Sequence, residues 1–129
     1  MNENEIGTEI LKSAIDIHRD LGPGLLESVY EVILEQELKR KGFEVNRQVA
    51  IPIRYKGLIF EEGFRADLIV EKQVLVELKS IESVSRVHAK QVLTYLKLLD
   101  IRLGYLMNFG AELMKNGVTR LVNQMREDQ

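Results

Sequence analysis

The chain contains no cysteine, which excludes disulfides, thiolate metal sites and a cysteine nucleophile. That absence suits a reducing compartment. Histidine is scarce as well: His18 and His88 fall in separate expected elements, so a zinc site is not anticipated. No apolar run approaches the roughly 20 residues that a membrane span requires. The first residues, Met1-Asn2-Glu3-Asn4-Glu5, are acidic and polar, unlike a secretory signal. A cytoplasmic protein without a membrane partner is therefore expected. Charge of one sign is also lacking. The formal net charge is −2, which argues against a bulk electrostatic grip on nucleic acid, although a local basic surface can outweigh the average. Lys39-Arg40-Lys41, then Arg47, Arg54, Lys56 and Arg65, and finally Arg86, Lys90 and Lys97 are the candidates for such a surface. Taken singly, most read as solvated charge.

What is present fits one compact soluble domain spanning residues 1–129. The hydrophobic content is 45% and the charged content 29%, both ordinary for a globular protein. Ile6, Ile10, Leu11, Ala14, Ile17 and Leu21 recur at helical spacing, and Gly22-Pro23-Gly24 stops that helix. A second stripe runs from Leu26 through Tyr30 and Leu34 to Leu38. Its last turn holds Lys39-Arg40-Lys41, where cations complement the helix dipole. Period-two alternation then starts at Val45, with Pro52 arguing for an edge or a bulge. Further strands are expected at Leu58 to Phe60, Phe64 to Val70 and Val74 to Lys79, with a break at Glu62-Gly63. A helix from Arg86 to about Asp100, a strand from Leu103 to Phe109 and a last strand from Gly117 to Val122 complete the chain. The expected order is α-α-β-β-β-β-α-β-(β), a mixed α/β domain.

One pair of strands carries chemistry. If Glu71-Lys72-Gln73 is a three-residue turn, Val70 pairs with Val74 and Asp67 lies opposite Glu77. Directly opposed residues in an antiparallel pair have Cβ atoms about 4.5–5.5 Å apart. Two carboxylates at that separation repel unless a cation or a proton relieves them. Lys79 shares their face. These strands are otherwise almost continuously apolar, as expected where both faces are covered, and charges there are costly. A surface hairpin with a weak solvent-exposed ion pair is the bland alternative.

Asp67 followed by Glu77-Leu78-Lys79, on neighbouring strands and before a helix, resembles the D…ExK signature of the PD-(D/E)XK nuclease superfamily. Gly24-Leu25-Leu26-Glu27-Ser28-Val29-Tyr30 is similar to the G-x-x-E-x-x-Y motif of the GxxExxY family within it. Gln91-Val92-Leu93-Thr94-Tyr95 resembles the Q-x-x-x-Y motif of its exonuclease-like branch. Ala66 stands where that superfamily usually has proline before the aspartate, a departure that touches no ligand. The resemblance implies a restriction-endonuclease-like three-layer core, with a mixed central sheet flanked by helices. It also implies Mg²⁺ or Mn²⁺ held by Asp67, Glu77 and the backbone carbonyl of Leu78, with Glu27 nearby. Lys79 would orient or deprotonate the attacking water. Gln91, Tyr95, Tyr30 and Arg86 would border the substrate. Local physics offers plainer roles for some of these. Glu27 suits a first helical turn, and Tyr30 suits the core with its hydroxyl bonded inward.

The function expected is metal-dependent cleavage of phosphodiester bonds in nucleic acid, DNA before RNA, by activated water. Cutting both strands of a duplex would require two sites, hence a homodimer. The alternatives are a nucleic-acid- or protein-binding module that keeps the fold without turnover, and a structural role for the carboxylates.

Overall fold

A computed structural model describes residues 1–124 of the chain. Two helices come first, α1 (Glu3–Leu21) and α2 (Glu27–Arg40). Strands β1 (Val45–Tyr55), β2 (Leu58–Val70) and β3 (Val74–Lys79) follow, then α3 (Arg86–Leu99), β4 (Leu103–Asn108), α4 (Met114–Gly117) and β5 (Val118–Val122). The sheet order is β1-β2-β3-β4-β5. All neighbours are antiparallel except β3 and β4, which are parallel and joined through α3. A parallel pair needs such a crossover, because no short turn can return the chain to the same end of the sheet.

Alternation along the strands sends side chains to two separate cores. Val74, Val76 and Leu78 of β3 join Leu103, Tyr105 and Met107 of β4 under α1 and α2. Leu75 and Leu106 point the other way, against Val92 and Leu96 of α3. The result is three layers, helices on both faces of a mixed sheet, as expected for a restriction-endonuclease-like core. Each large apolar side chain buried in this way contributes about 1.5–3 kcal/mol. Asn2 caps α1 through a reciprocal pair of bonds with Glu5, which satisfies amides that the first turn leaves unpaired.

Three details differ from the expected order. The break at Glu62-Gly63 is absent, and β2 runs continuously from Leu58 to Val70. The irregularity there is a bulge: the single residue Pro52 of β1 faces Glu61, Glu62 and Gly63 of β2, as the register passes from Ile51↔Phe64 to Ile53↔Phe60. Gly63 admits the displaced Ile53 side chain: a Cβ there would lie 2.0 Å from Ile53 Cγ1. The last strand begins at Val118, after a helical turn that the apolar pattern is too short to signal. The expected strand end at Phe109 falls one residue earlier, at Asn108.

Candidate functional site

The β2–β3 hairpin closes on Glu71-Lys72-Gln73, with Glu71 and Lys72 both in left-handed backbone conformation (φ 52° and 57°). Val70 pairs with Val74, Ile69 with Leu75 and Leu68 with Val76. Asp67 and Glu77 follow next in that register, and hydrogen bonds join Asp67 to Glu77 and to Leu78 beyond it. The Asp67 amide donates to Glu77 Oε1 at 3.3 Å, and the Leu78 amide donates to Asp67 Oδ2 at 2.9 Å. Glu77 is buried at 8% exposure. Burial, and then the Asp67 charge beside it, push its carboxyl up to about 9. Lys79, at the exit of β3, pulls weakly in the opposite direction.

Two elements bring further groups to this pair. On α2, Glu31 is buried at 5% exposure. It accepts from Arg47 Nη1 at 3.1 Å and from Gln48 Nε2 at 2.7 Å. Gln48 Nε2 is also 3.2 Å from Asp67 Oδ1, so one amide bridges two carboxylates. Burial raises the Glu31 carboxyl above its usual range and Asp67 adds to this, against the pull of Arg47 and Gln48. Arg47 also reaches Glu35 at 3.4 Å. Strict alternation would send neighbouring Arg47 and Gln48 to opposite faces. Both reach Glu31 because Gln48 takes a left-handed backbone conformation (φ 54°). Such a conformation is unfavourable for a residue with a Cβ, and the contacts around it hold it there.

From α3, Tyr95 stacks on Phe64 of β2 with centroids 4.0 Å apart and planes 8° from parallel. Burial, and then the charges of Glu77 and Asp67, raise its hydroxyl pKa, which places that hydroxyl in the field of the acidic pair. Gln91 and Arg86 lie on the same helix and are exposed. His88 closes a capping box with Ser85, whose amide donates to His88 Nδ1 at 3.0 Å. His18 lies elsewhere, its Nε2 2.7 Å from the Ala111 carbonyl.

The structure thus brings together Asp67, Glu77, Leu78, Lys79 and Tyr95. Glu27 is exposed in the first turn of α2; Glu31, one turn further along, is the helix acid that meets Asp67 through Gln48. Tyr30 is fully buried. Its hydroxyl donates to the Gly22 carbonyl at 2.6 Å and accepts from the Leu25 amide at 3.1 Å, while its ring stacks on Phe109 at 4.4 Å. From there it supports the α1–α2 turn and has no surface to offer a substrate. Sequence reasoning passed over Glu31, Gln48 and Asn108. Asn108 is buried beside Lys79 in the β3–β4 register. Its side chain accepts from the Ile81 and Gly110 amides and donates to the Ile81 carbonyl, fixing the chain just after Lys79. Glu31 had a usable signal, since it follows Glu27 by four residues and so shares its helix face.

Among the described residues, no group of three His, Cys, Asp or Glu side chains is arranged to hold a metal ion. The donor chemistry nevertheless suits a hard cation: oxygen ligands only, crowded where burial disfavours their charge.

A family model described as the PD-(D/E)XK nuclease superfamily matches residues 4–121. The chain belongs to that superfamily. No curated protein and no solved structure matches it. PD-(D/E)XK nucleases are generally dependent on a divalent metal, and membership points to a nucleic-acid substrate. No described helix is long and apolar enough to cross a membrane.

Proposed function

We propose that this protein is a metal-dependent nuclease of the GxxExxY type that hydrolyses phosphodiester bonds, with DNA as the first substrate to test. The observation that carries this reading is the facing pair Asp67 and Glu77 on the hairpin beside Lys79, with Glu77 buried and its carboxyl pushed up to about 9. Two acids placed together repel unless a cation or a proton relieves them. A hard divalent ion takes oxygen ligands and is commonly held by one or two carboxylates. The carboxylates of Asp67 and Glu77 and the carbonyl of Leu78 would hold Mg²⁺ or Mn²⁺. When bound, that ion would stabilise charge on the phosphoryl oxygens and lower the pKa of the attacking water.

The chain's own groups supply the rest. Lys79 directs its ammonium toward the water or the phosphate and offsets negative charge. Glu31, held by Arg47 and Gln48, adds an acid on the α2 side, the role that resemblance had given to Glu27. Tyr95, Gln91 and Arg86 line the approach from α3. Membership supports an enzyme acting on nucleic acid, the cysteine-free sequence suits a cytoplasmic setting, and a homodimer is the form that would cut both strands of a duplex.

The test is cleavage of single-stranded and duplex DNA and RNA with Mg²⁺ or Mn²⁺. Cutting that disappears in Asp67→Ala and Lys79→Ala supports the reading, and no cutting of any substrate with either metal sinks it. A second reading, a binding module that keeps the fold without turnover, draws on the two hydrogen bonds that clip Asp67 to Glu77 and to the Leu78 amide. It expects nucleic-acid binding that is indifferent to Lys79→Ala.

A further inference from the structure

The most exposed apolar side chains of the sheet lie together, away from both cores. Tyr55 is 62% exposed, Leu58 59%, Ile59 63% and Phe60 52%. They form the end of the β1–β2 hairpin, where Tyr55 pairs with Leu58, Arg54 with Ile59 and Ile53 with Phe60. The turn is Lys56-Gly57, both residues in left-handed conformation (φ 46° and 82°). β3 pairs with β2 only from Leu68 to Val70. The outer stretch of β1 and β2 is therefore a two-stranded arm, and none of its residues from Arg54 to Glu62 belongs to either core.

Its tip is cationic. From Arg54 to Phe60 there are two cations and no acid, in a chain whose net charge is −2, and the arm's two acids, Glu61 and Glu62, sit at its base. Lys56 Nζ sits 5.4 Å from the Tyr55 ring centroid, so cation and aromatic face present together. At the base of the arm, Glu62 is neutralised by Arg65 at 2.6 Å.

We infer that this arm grips the nucleic acid flanking the cleavage site, with Tyr55, Leu58 and Phe60 of one face against sugars and bases, and Lys56 at the turn and Arg54, beside Ile59 on the other face, on phosphates. The inference rests on the nuclease reading for its partner. Lysine and arginine supply most of the affinity for a phosphate backbone. Aromatic faces stack on bases, and apolar wedges enter base steps. A second copy of the chain fits less well, because arms docked tip to tip would set two cationic ends side by side with no acid between Arg54 and Phe60 to pair them. The arm also shares a strand with the site. Phe60 precedes Asp67 by seven residues on β2, but Glu61 to Gly63 bulge opposite Pro52, so the span is the five steps from Gln48 to Ile53 on β1, roughly 17 Å at about 3.3 Å per residue. That span matches about five nucleotide steps of about 3.4 Å along one strand. The substrate is therefore an extended nucleic acid rather than a mononucleotide or a short end.

The test is fluorescence anisotropy with a labelled DNA duplex of about 20 base pairs, in EDTA so that nothing is cut. Wild type is compared with Arg54→Ala/Lys56→Ala and Tyr55→Ala/Phe60→Ala, each checked for a native circular dichroism spectrum. Both double variants should bind at least about tenfold more weakly, and the salt slope of Arg54→Ala/Lys56→Ala should fall by about 1.8, two phosphate contacts at about 0.9 each. Wild-type affinity in both variants overturns the inference, as does a wild type that does not bind. Loss of self-association in light scattering with DNA affinity unchanged also overturns it, in favour of a second copy on the arm. Cleavage plays no part in this readout, so a failed nuclease assay with arm-dependent binding would sink the nuclease reading alone.

Discussion

Glu77 gives the chain an unusual response to pH. Its carboxyl is pushed up from 4.5 to about 9 in the fold, whereas in the unfolded chain it titrates near its ordinary value. Between those limits the folded protein keeps a proton that the unfolded chain has released. Stability from this group is therefore fully present below the unfolded value and declines as pH rises, until the folded carboxyl is also ionised near 9. The slope is up to about 1.4 kcal/mol per pH unit. From about pH 5.5 to about pH 8 the loss is on the order of 3 kcal/mol, a large fraction of a small domain's stability. Glu77→Gln keeps the shape and cannot ionise, and its amide can donate to Asp67 as the protonated acid does. Urea denaturation at the two pH values should show the gap between variant and wild type widening by that amount, with the variant the more stable at the higher pH. Adding Mg²⁺ to the wild type should raise its midpoint more at pH 8 than at pH 5.5, an effect absent from Glu77→Gln. Parallel pH profiles for the two proteins would refute the reasoning.

Other outcomes follow from single contacts. Gln48→Ala removes the amide shared by Glu31 and Asp67 and should cost about 1–3 kcal/mol, more at pH 8 than at pH 5.5; urea denaturation at both values reads it. Tyr30→Phe loses the hydroxyl between Gly22 and Leu25 and should cost about 1–2 kcal/mol in the same measurement. Gly110→Ala places a Cβ 2.1 Å from the Ile81 carbonyl oxygen; the clash is with backbone, so a large drop in melting temperature is expected. Leu96→Ala opens a hole in the core under α3 and should cost about 2–5 kcal/mol by denaturant titration.

The hairpin was readable in advance because its evidence is local. Three turn residues and two alternating strands fix a register, and Asp67 meets Glu77 on that basis alone. Tyr30 was readable as core for a similar reason, being a large ring on the apolar stripe of a helix. Gln48 was not, because nothing in Arg47-Gln48-Val49 announces a left-handed residue in mid-strand, and without it Arg47 and Gln48 fall on opposite faces. Glu31 was missed because its partners come from β1 and β2, sixteen or more residues away in sequence. The merger of two expected strands into β2 depended on a match between Gly63 and Ile53, which is a property of the pair and of neither segment alone.

The turn between α1 and α2 touches more than those helices. The Tyr30 hydroxyl pins Gly22 and Leu25, and the Leu25 carbonyl accepts a 2.5 Å hydrogen bond from Ser80 Oγ, the residue next to Lys79. A glycine, a tyrosine and a serine thus form a brace between the helical layer and the far end of the hairpin. Slackening any joint of that brace would let Lys79 drift relative to Asp67 and Glu77. The segment from Gly24 to Tyr30 thus lends Leu25 and Tyr30 to a mechanical fixture, and a substitution at Tyr30 or Ser80 would reposition Lys79 without touching it.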